Sequence, residues 1–153
     1  MSKIALVTDS SAYIPQDLID KYNISIVPLV LVWGNDTYAD GVDIQPEEFY
    51  RRLQTTEKMP STSQATPAAM QKKFEELLAQ DYQILAVFIS SNLSGTVQSA
   101  LQAKDALTTA QDKIHIVDTK STSMAMGYQV LAIARAIKDG ASIQECLAIA
   151  NKA

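Results

Sequence analysis

The sequence predicts an α/β domain built on a mostly parallel sheet flanked by helices. Three short, continuous apolar runs, Ile4 to Val7, Ile84 to Ile89 and Ile114 to Val117, have the form of strands buried on both faces. Between and after them apolar residues recur at helical spacing, and this alternation places helices against both faces of a parallel sheet. With 153 residues, 47% of them apolar, the chain has the length and the material for one domain with its own core.

The elements follow in order. Ile4 to Val7 runs into the polar stretch Thr8-Asp9-Ser10-Ser11, and Pro15 then opens a short helix to about Tyr22. Ile24 to Trp33, rich in β-branched and bulky residues, reads as one strand that Pro28 confines to an edge or a bulge. Asn35-Asp36 and Asp40-Gly41 mark turns. Pro46-Glu47-Glu48-Phe49 starts a helix, with Arg51-Arg52 further on to complement its dipole. Pro60 to Gln64 is expected to be loop. Thr66-Pro67 caps a helix that carries Met70, Phe74, Leu77 and Leu78 on one face and ends near Gln80.

The strand Ile84 to Ile89 runs into Ser90-Ser91-Asn92-Leu93-Ser94-Gly95-Thr96, after which Val97, Ala100, Leu101 and Leu107 resume a helical stripe. The strand Ile114 to Val117 ends at Asp118-Thr119. Val130, Ile133, Ala134 and Ile137 define the next helix, which Gly140 stops. Ser142 and Glu145 have capping-box spacing, and Ile143, Cys146, Leu147 and Ala150 carry one apolar face to the last residues.

Composition excludes several functions. With 13 Lys+Arg against 17 Asp+Glu the formal net charge is −4, which provides neither a basic nucleic-acid footprint nor bulk attraction to anionic membranes. Cys146 is the only cysteine, so an intramolecular disulfide or a Cys-rich zinc site is not available. Only four consecutive apolar residues follow Lys3, too few for a signal peptide, and no run approaches the ~18 needed to span a bilayer. The expectation is a soluble cytoplasmic protein without stable membrane insertion.

In an open parallel sheet, ligands collect beyond the carboxyl ends of the strands. Thr8 to Ser11, Ser90 to Thr96 and Asp118 to Ser123 fall there, all dense in hydroxyls and poor in cations. The hydroxyl-rich Ser61-Thr62-Ser63-Gln64, immediately before a helix, is a fourth candidate. In Ser94-Gly95-Thr96 a tight turn meets a helix amino terminus, which suits an anion such as a carboxylate or phosphate; a plain helix cap is the other reading. The phosphate-loop, dinucleotide and nucleophile-elbow patterns are absent. Asp9 follows a strand as an aspartyl nucleophile would, but Ser11 stands where a second carboxylate would be, so Asp9 reads better as a loop-ordering cap. His115, the only histidine, reads as structural inside its strand, Cys146 as a small core residue, and Trp33 as packing. Met124 and Met126 flank the third strand-end loop, where flexible thioethers suit an adaptable apolar cavity.

Taken together, Thr8-Asp9-Ser10, Tyr38 with Asp40-Gly41, Thr62-Ser63-Gln64, Ser90-Ser91 with Leu93-Ser94-Gly95-Thr96, Gln98-Ser99-Ala100 and Asp118 resemble the DegV family of bacterial fatty-acid-binding proteins. The resemblance implies a non-enzymatic protein that encloses one long-chain fatty acid and presents its carboxyl group to a separate fatty-acid kinase subunit for acyl-phosphate formation. It also implies that Thr62 and Ser94 hydrogen-bond the carboxylate, with Ser63, Gly95, Thr96, Asp9 and Ser10 as further site candidates, and it implies no metal and no cofactor beyond the bound lipid. Members of that family are about twice as long, so residues 1–153 are expected to be the amino-terminal domain only, ending inside a helix, with a bare apolar face that favours self-association. Two other readings stand beside the carrier. One is a small-molecule kinase or phosphatase subunit similar to the substrate domain of dihydroxyacetone kinases, which needs His115 at a pocket mouth. The other is a kinase-docking domain without lipid.

Overall fold

Each apolar run of the sequence becomes a strand of one parallel sheet. The computed structural model describes residues 3–152; Met1, Ser2 and Ala153 lie outside the described residues, and with them the very end of the expected terminal helix. β1 (Lys3–Asp9), β2 (Ser25–Val27), β6 (Tyr82–Phe88) and β7 (Ile114–Asp118) form a four-stranded sheet in the order β2-β1-β6-β7, with every pair parallel. β3 (Val30–Trp33), β4 (Asp36–Ala39) and β5 (Ser61–Ser63) form a separate antiparallel sheet in the order β4-β3-β5. The helices are α1 (Gln16–Tyr22), α2 (Pro46–Leu53), α3 (Pro67–Leu78), α4 (Thr96–Ala106), α5 (Ser123–Lys138) and α6 (Ile143–Lys152).

Burial on both faces explains why β1 and β6 lack polar alternation. Leu6, Leu85, Val87 and Val117 pack with Met126, Val130, Leu131, Ile133 and Cys146 of α5 and α6. Val7, Ile84, Ala86, Phe88 and Ile114 pack with Met70, Phe74 and Leu77 of α3 and Ala100 and Ala103 of α4. Met126 is fully buried in the first of these cores, and Cys146 is a core residue as expected. The caps form where the sequence places them: Thr66 Oγ1 accepts from the Ala69 amide at 3.1 Å, and Ser142 and Glu145 bond reciprocally at 3.2 and 2.7 Å.

The expected single strand from Ile24 to Trp33 is instead two. Pro28 has no N–H for a ladder, and the next amide, Leu29, donates to Ser10 Oγ at 3.0 Å, so the chain leaves the parallel sheet after Val27 and enters the second sheet at Val30. Asp36, read as a turn residue, is already the first residue of β4. The turn is Gly34-Asn35, with Gly34 at φ +64, joining β3 to β4 across the Trp33 and Asp36 pair. The segment from Pro60 to Gln64, expected as loop, contains β5, because Ser61, Thr62 and Ser63 pair with Val32, Leu31 and Val30 along an otherwise open edge. Leu31, Trp33 and Ile44 form a small third core under Phe49 and Leu53 of α2.

α5 lies against the helical turn Ser10–Ala12, and Gly127 is what lets it approach: a Cβ there would stand 2.7 Å from the Ala12 carbonyl oxygen. Backbone cannot yield as a side chain can, so Gly127→Ala is expected to destabilise the fold by about 1–3 kcal/mol. Urea unfolding would measure this, and unchanged stability would show that the contact is relaxed elsewhere.

Candidate functional site

The carboxyl ends of β1, β6 and β7 are joined by side chain to backbone bonds. Asp9, fully buried, accepts from the Ser11 amide at 2.9 Å and from the Ser11 hydroxyl, and its other oxygen accepts from the Ile89 amide at 2.8 Å. Burial pushes the Asp9 carboxyl up from its ordinary value, against the lowering by these three bonds. Asp118 accepts from the amides of Ser91 and Lys120 and from the Ser91 hydroxyl. Its partial burial acts upward, yet the Ser91 side chain and the two amides outweigh it and hold Asp118 below the usual carboxylate range. Thr119 Oγ1 donates to the Phe88 carbonyl at 2.7 Å, and the Ser90 amide donates to the Ser121 carbonyl at 2.9 Å.

On this frame stands the turn before α4. The amides of Leu93 and Ser94 donate to the Ser90 carbonyl at 2.9 and 3.1 Å, which folds the chain back toward the helix. Ser94 Oγ accepts from the Thr96 amide at 3.3 Å and lies 2.9 Å from Thr96 Oγ1. Gly95 caps α4 without a side-chain bond, so the amides of Val97 and Gln98 at the positive end of the helix have no intrahelical acceptor. The segment after β5 lies directly on this turn. The Ala65 amide donates to Thr96 Oγ1 at 3.4 Å, and Gln64 Nε2 donates to Ser99 Oγ at 3.2 Å. A Cβ at Gly95 would fall 2.0 Å from Gln64 Oε1, so any other residue would push the Gln64 amide out of this position.

The structure thus brings Ser94, Gly95 and Thr96 together with the segment that carries Thr62 and Ser63. Both of those residues are exposed in β5, with Thr62 opposite Leu31 and only two residues before Gln64. Asp9 and Ser10 lie elsewhere: they line a cavity of about 500 Å³ with Tyr13, Ile24 and Asp40, and their side-chain oxygens serve backbone amides. Gln64 and Ser99, which join the two segments, were legible only as motif letters, because their contact spans 35 residues and depends on the absence of a side chain at Gly95. No Lys or Arg occurs in Ser61 to Ala65 or in Ser90 to Ser99, so the donors these two segments themselves offer an anion are neutral.

His115 is the second residue of β7, three positions before the carboxyl end of the strand. It pairs with Leu85, and its Nε2 is buried with no hydrogen-bond partner. Burial, with Lys104 nearby, moves the imidazole below its ordinary value, only partly offset by Asp112. This placement gives no support to a substrate-holding histidine. Because the folded ring binds fewer protons than the unfolded one, it contributes stability above about pH 6.5 that is lost as the pH falls below that value. Urea unfolding at pH 7.5 and 5.5 is expected to show a loss on acidification that His115→Leu reduces; an identical loss in the variant would assign the effect to other groups.

Fold and site together describe an α/β unit that presents hydroxyls and first-turn amides at the amino terminus of α4. The chain belongs to the DegV family: the family model described as "Uncharacterised protein, DegV family" matches residues 3–153. A DegV domain-containing protein of Caldanaerobacter subterraneus subsp. tengcongensis is 42% identical over 145 residues, 95% of this chain and 51% of that protein. One from Staphylococcus aureus is 35% identical over 147 residues, 95% of this chain and 50% of that protein. Among solved structures, the fatty acid-binding DegV family protein of Thermus thermophilus superposes with a TM-score of 0.87 at 32% identity, covering 98% of this chain and 52% of that one. DegV of Bacillus subtilis, described as a fatty acid-binding protein, gives 0.89 at 29% identity, covering 99% and 54%. The chain spans about half the length of the relatives it matches.

Proposed function

We propose that this chain is the amino-terminal α/β unit of a DegV protein that holds one long-chain fatty acid and presents its carboxylate to a separate fatty-acid kinase subunit. The observation that carries the reading is the turn Ser94-Gly95-Thr96 at the amino end of α4, with the segment that bears Thr62 packed against it and no cation in either. The fatty-acid-binding relatives of similar fold supply the ligand class.

In this reading Ser94 and Thr62 donate to the two carboxylate oxygens, and the free first-turn amides of α4 add the favourable field of a helix amino terminus. Gly95 and Thr96 set the shape of the turn, and Ser63 lies beside Thr62 on the same strand. Neutral donors hold the carboxylate without neutralising it in an ion pair. One oxygen therefore stays nucleophilic toward an incoming phosphoryl group, which the kinase subunit supplies. The chain carries no phosphoryl chemistry of its own and needs no resident cofactor.

Affinity comes from the tail. Each buried CH₂ contributes about 0.8 kcal/mol, so a palmitate-length tail is worth on the order of 10 kcal/mol when fully enclosed. Association costs roughly 4–15 kcal/mol, so partial enclosure leaves little net affinity. Two results are expected. Palmitate titration should show weak binding to residues 1–153 and much tighter binding to a form of the length of its relatives. Ser94→Ala in that longer form should lower acyl-phosphate formation in a kinase-coupled assay at least tenfold. Stoichiometric long-chain acid in a solvent extract of the 153-residue chain would overturn the first, and full kinase-coupled activity of Ser94→Ala would overturn the assignment of the carboxylate.

A further inference from the structure

The turn before α4 contains a chain of hydrogen bonds whose direction is fixed from its buried end. The Ala65 amide, which can only donate, reaches Thr96 Oγ1 at 3.4 Å, and Thr96 Oγ1 lies 2.9 Å from Ser94 Oγ. These are the only two polar partners of Thr96 Oγ1 among the described residues, and Thr96 is fully buried. Were Ser94 to donate to Thr96, the threonine hydrogen would be stranded inside the protein, an arrangement that buried polar groups avoid. With Thr96 as the donor every group is used. Thr96 Oγ1 accepts from Ala65 and gives its hydrogen to Ser94 Oγ, which also accepts from the Thr96 amide at 3.3 Å. Both lone pairs of Ser94 are then filled, and its single remaining hydrogen must find an acceptor outside this chain of bonds. Ser94 is only half-buried, so that hydrogen is within reach of a ligand.

We infer that Thr96 is a positioning residue that locks Ser94 as a donor, so that the relay from the Ala65 N–H through the Thr96 hydroxyl to the Ser94 hydroxyl ends on a ligand oxygen. The direction rests on geometry and burial alone; the identity of the ligand oxygen as a carboxylate rests on the fatty-acid reading above. Aligned bonds polarise one another, so Ser94 becomes a stronger donor than an isolated serine. The ligand class follows: a group that offers only acceptors, such as a carboxylate, is favoured over an alcohol, whose own hydrogen would face the donating amides of Val97 and Gln98. The same relay accounts for the residue type at position 96. Valine has the shape of threonine but would leave the Ala65 amide without an acceptor and would free one lone pair of Ser94, whereas serine would keep the relay.

Two measurements test this. Hydroxyl-proton NMR on the unliganded 153-residue chain should show a protected Thr96 hydroxyl proton and a freely exchanging one on Ser94; the reverse pattern overturns the inference whether or not any ligand binds. Titration of isotope-labelled chain with octanoate, and with octanol as the neutral control, is then followed at the amides of Thr96 and Val97. Thr96→Val is expected to weaken octanoate about tenfold and octanol less than twofold, while Thr96→Ser stays within about threefold of the original chain for both. Unchanged octanoate affinity in Thr96→Val, or a parallel loss of octanoate and octanol, overturns the inference. If octanoate shifts no amide of the unsubstituted 153-residue chain, in line with the weak binding expected of it, the titration is repeated on the form of the length of its relatives. No shift there makes the fatty-acid reading fail, and the hydroxyl-proton pattern decides the direction by itself.

Discussion

The buried Asp9 carboxylate fixes where the two central strands end, and the candidate site is built outward from that point. One oxygen takes the hydroxyl and amide of Ser11 and so turns β1 into the following helical turn; the other takes the Ile89 amide one residue past the end of β6. Ser90, next in the chain, supplies the carbonyl on which Leu93 and Ser94 close. An acid at the end of β1 therefore sets the position of a serine 85 residues later, by satisfying amides that no strand neighbour could reach. The cost is a carboxyl group taken out of water, which burial moves up from its ordinary range. Its three bonds keep that cost tolerable.

Holding an anion with hydroxyls and amides differs in kind from holding it with arginine. A guanidinium would bind a carboxylate more tightly, but it would also neutralise the nucleophile and would have to be desolvated in the apolar surroundings a lipid tail requires. On the proposed reading the turn at Ser94 avoids both consequences. Its donors are fixed in place by the chain itself, through the Ser90 carbonyl on one side and Gln64 and Ala65 on the other, so little ordering remains to be done when a ligand arrives.

Much of this was legible in the sequence because it rests on local rules. Apolar runs without alternation gave the buried strands; Thr66 with Pro67 and Ser142 with Glu145 gave helix starts to the residue. The second sheet was not legible. Pro28 signalled a disturbance in an otherwise strand-like segment, but the residue that takes over the neighbouring Leu29 amide is Ser10, 19 positions away. Ser61 to Ser63 has only Thr62 to favour a strand and pairs where β3 offers a free edge, and β4 follows from the tight turn at Gly34. At the site, the hydroxyl motifs were visible as letters. Their meeting through Gln64, Gly95 and Ser99 was not, since it depends on two loops that touch only after both sheets have formed.

The account stands on a carboxylate held by neutral donors at Ser94. The most direct measurement is ¹³C NMR of carboxyl-labelled myristate in the presence of excess protein, followed as the pH is lowered. Donors aimed at the charged form should keep the bound carboxyl ionised well below the range in which the free acid titrates, and Ser94→Ala should abolish the difference. A bound carboxyl that titrates as the free acid does, with or without Ser94, would contradict the account.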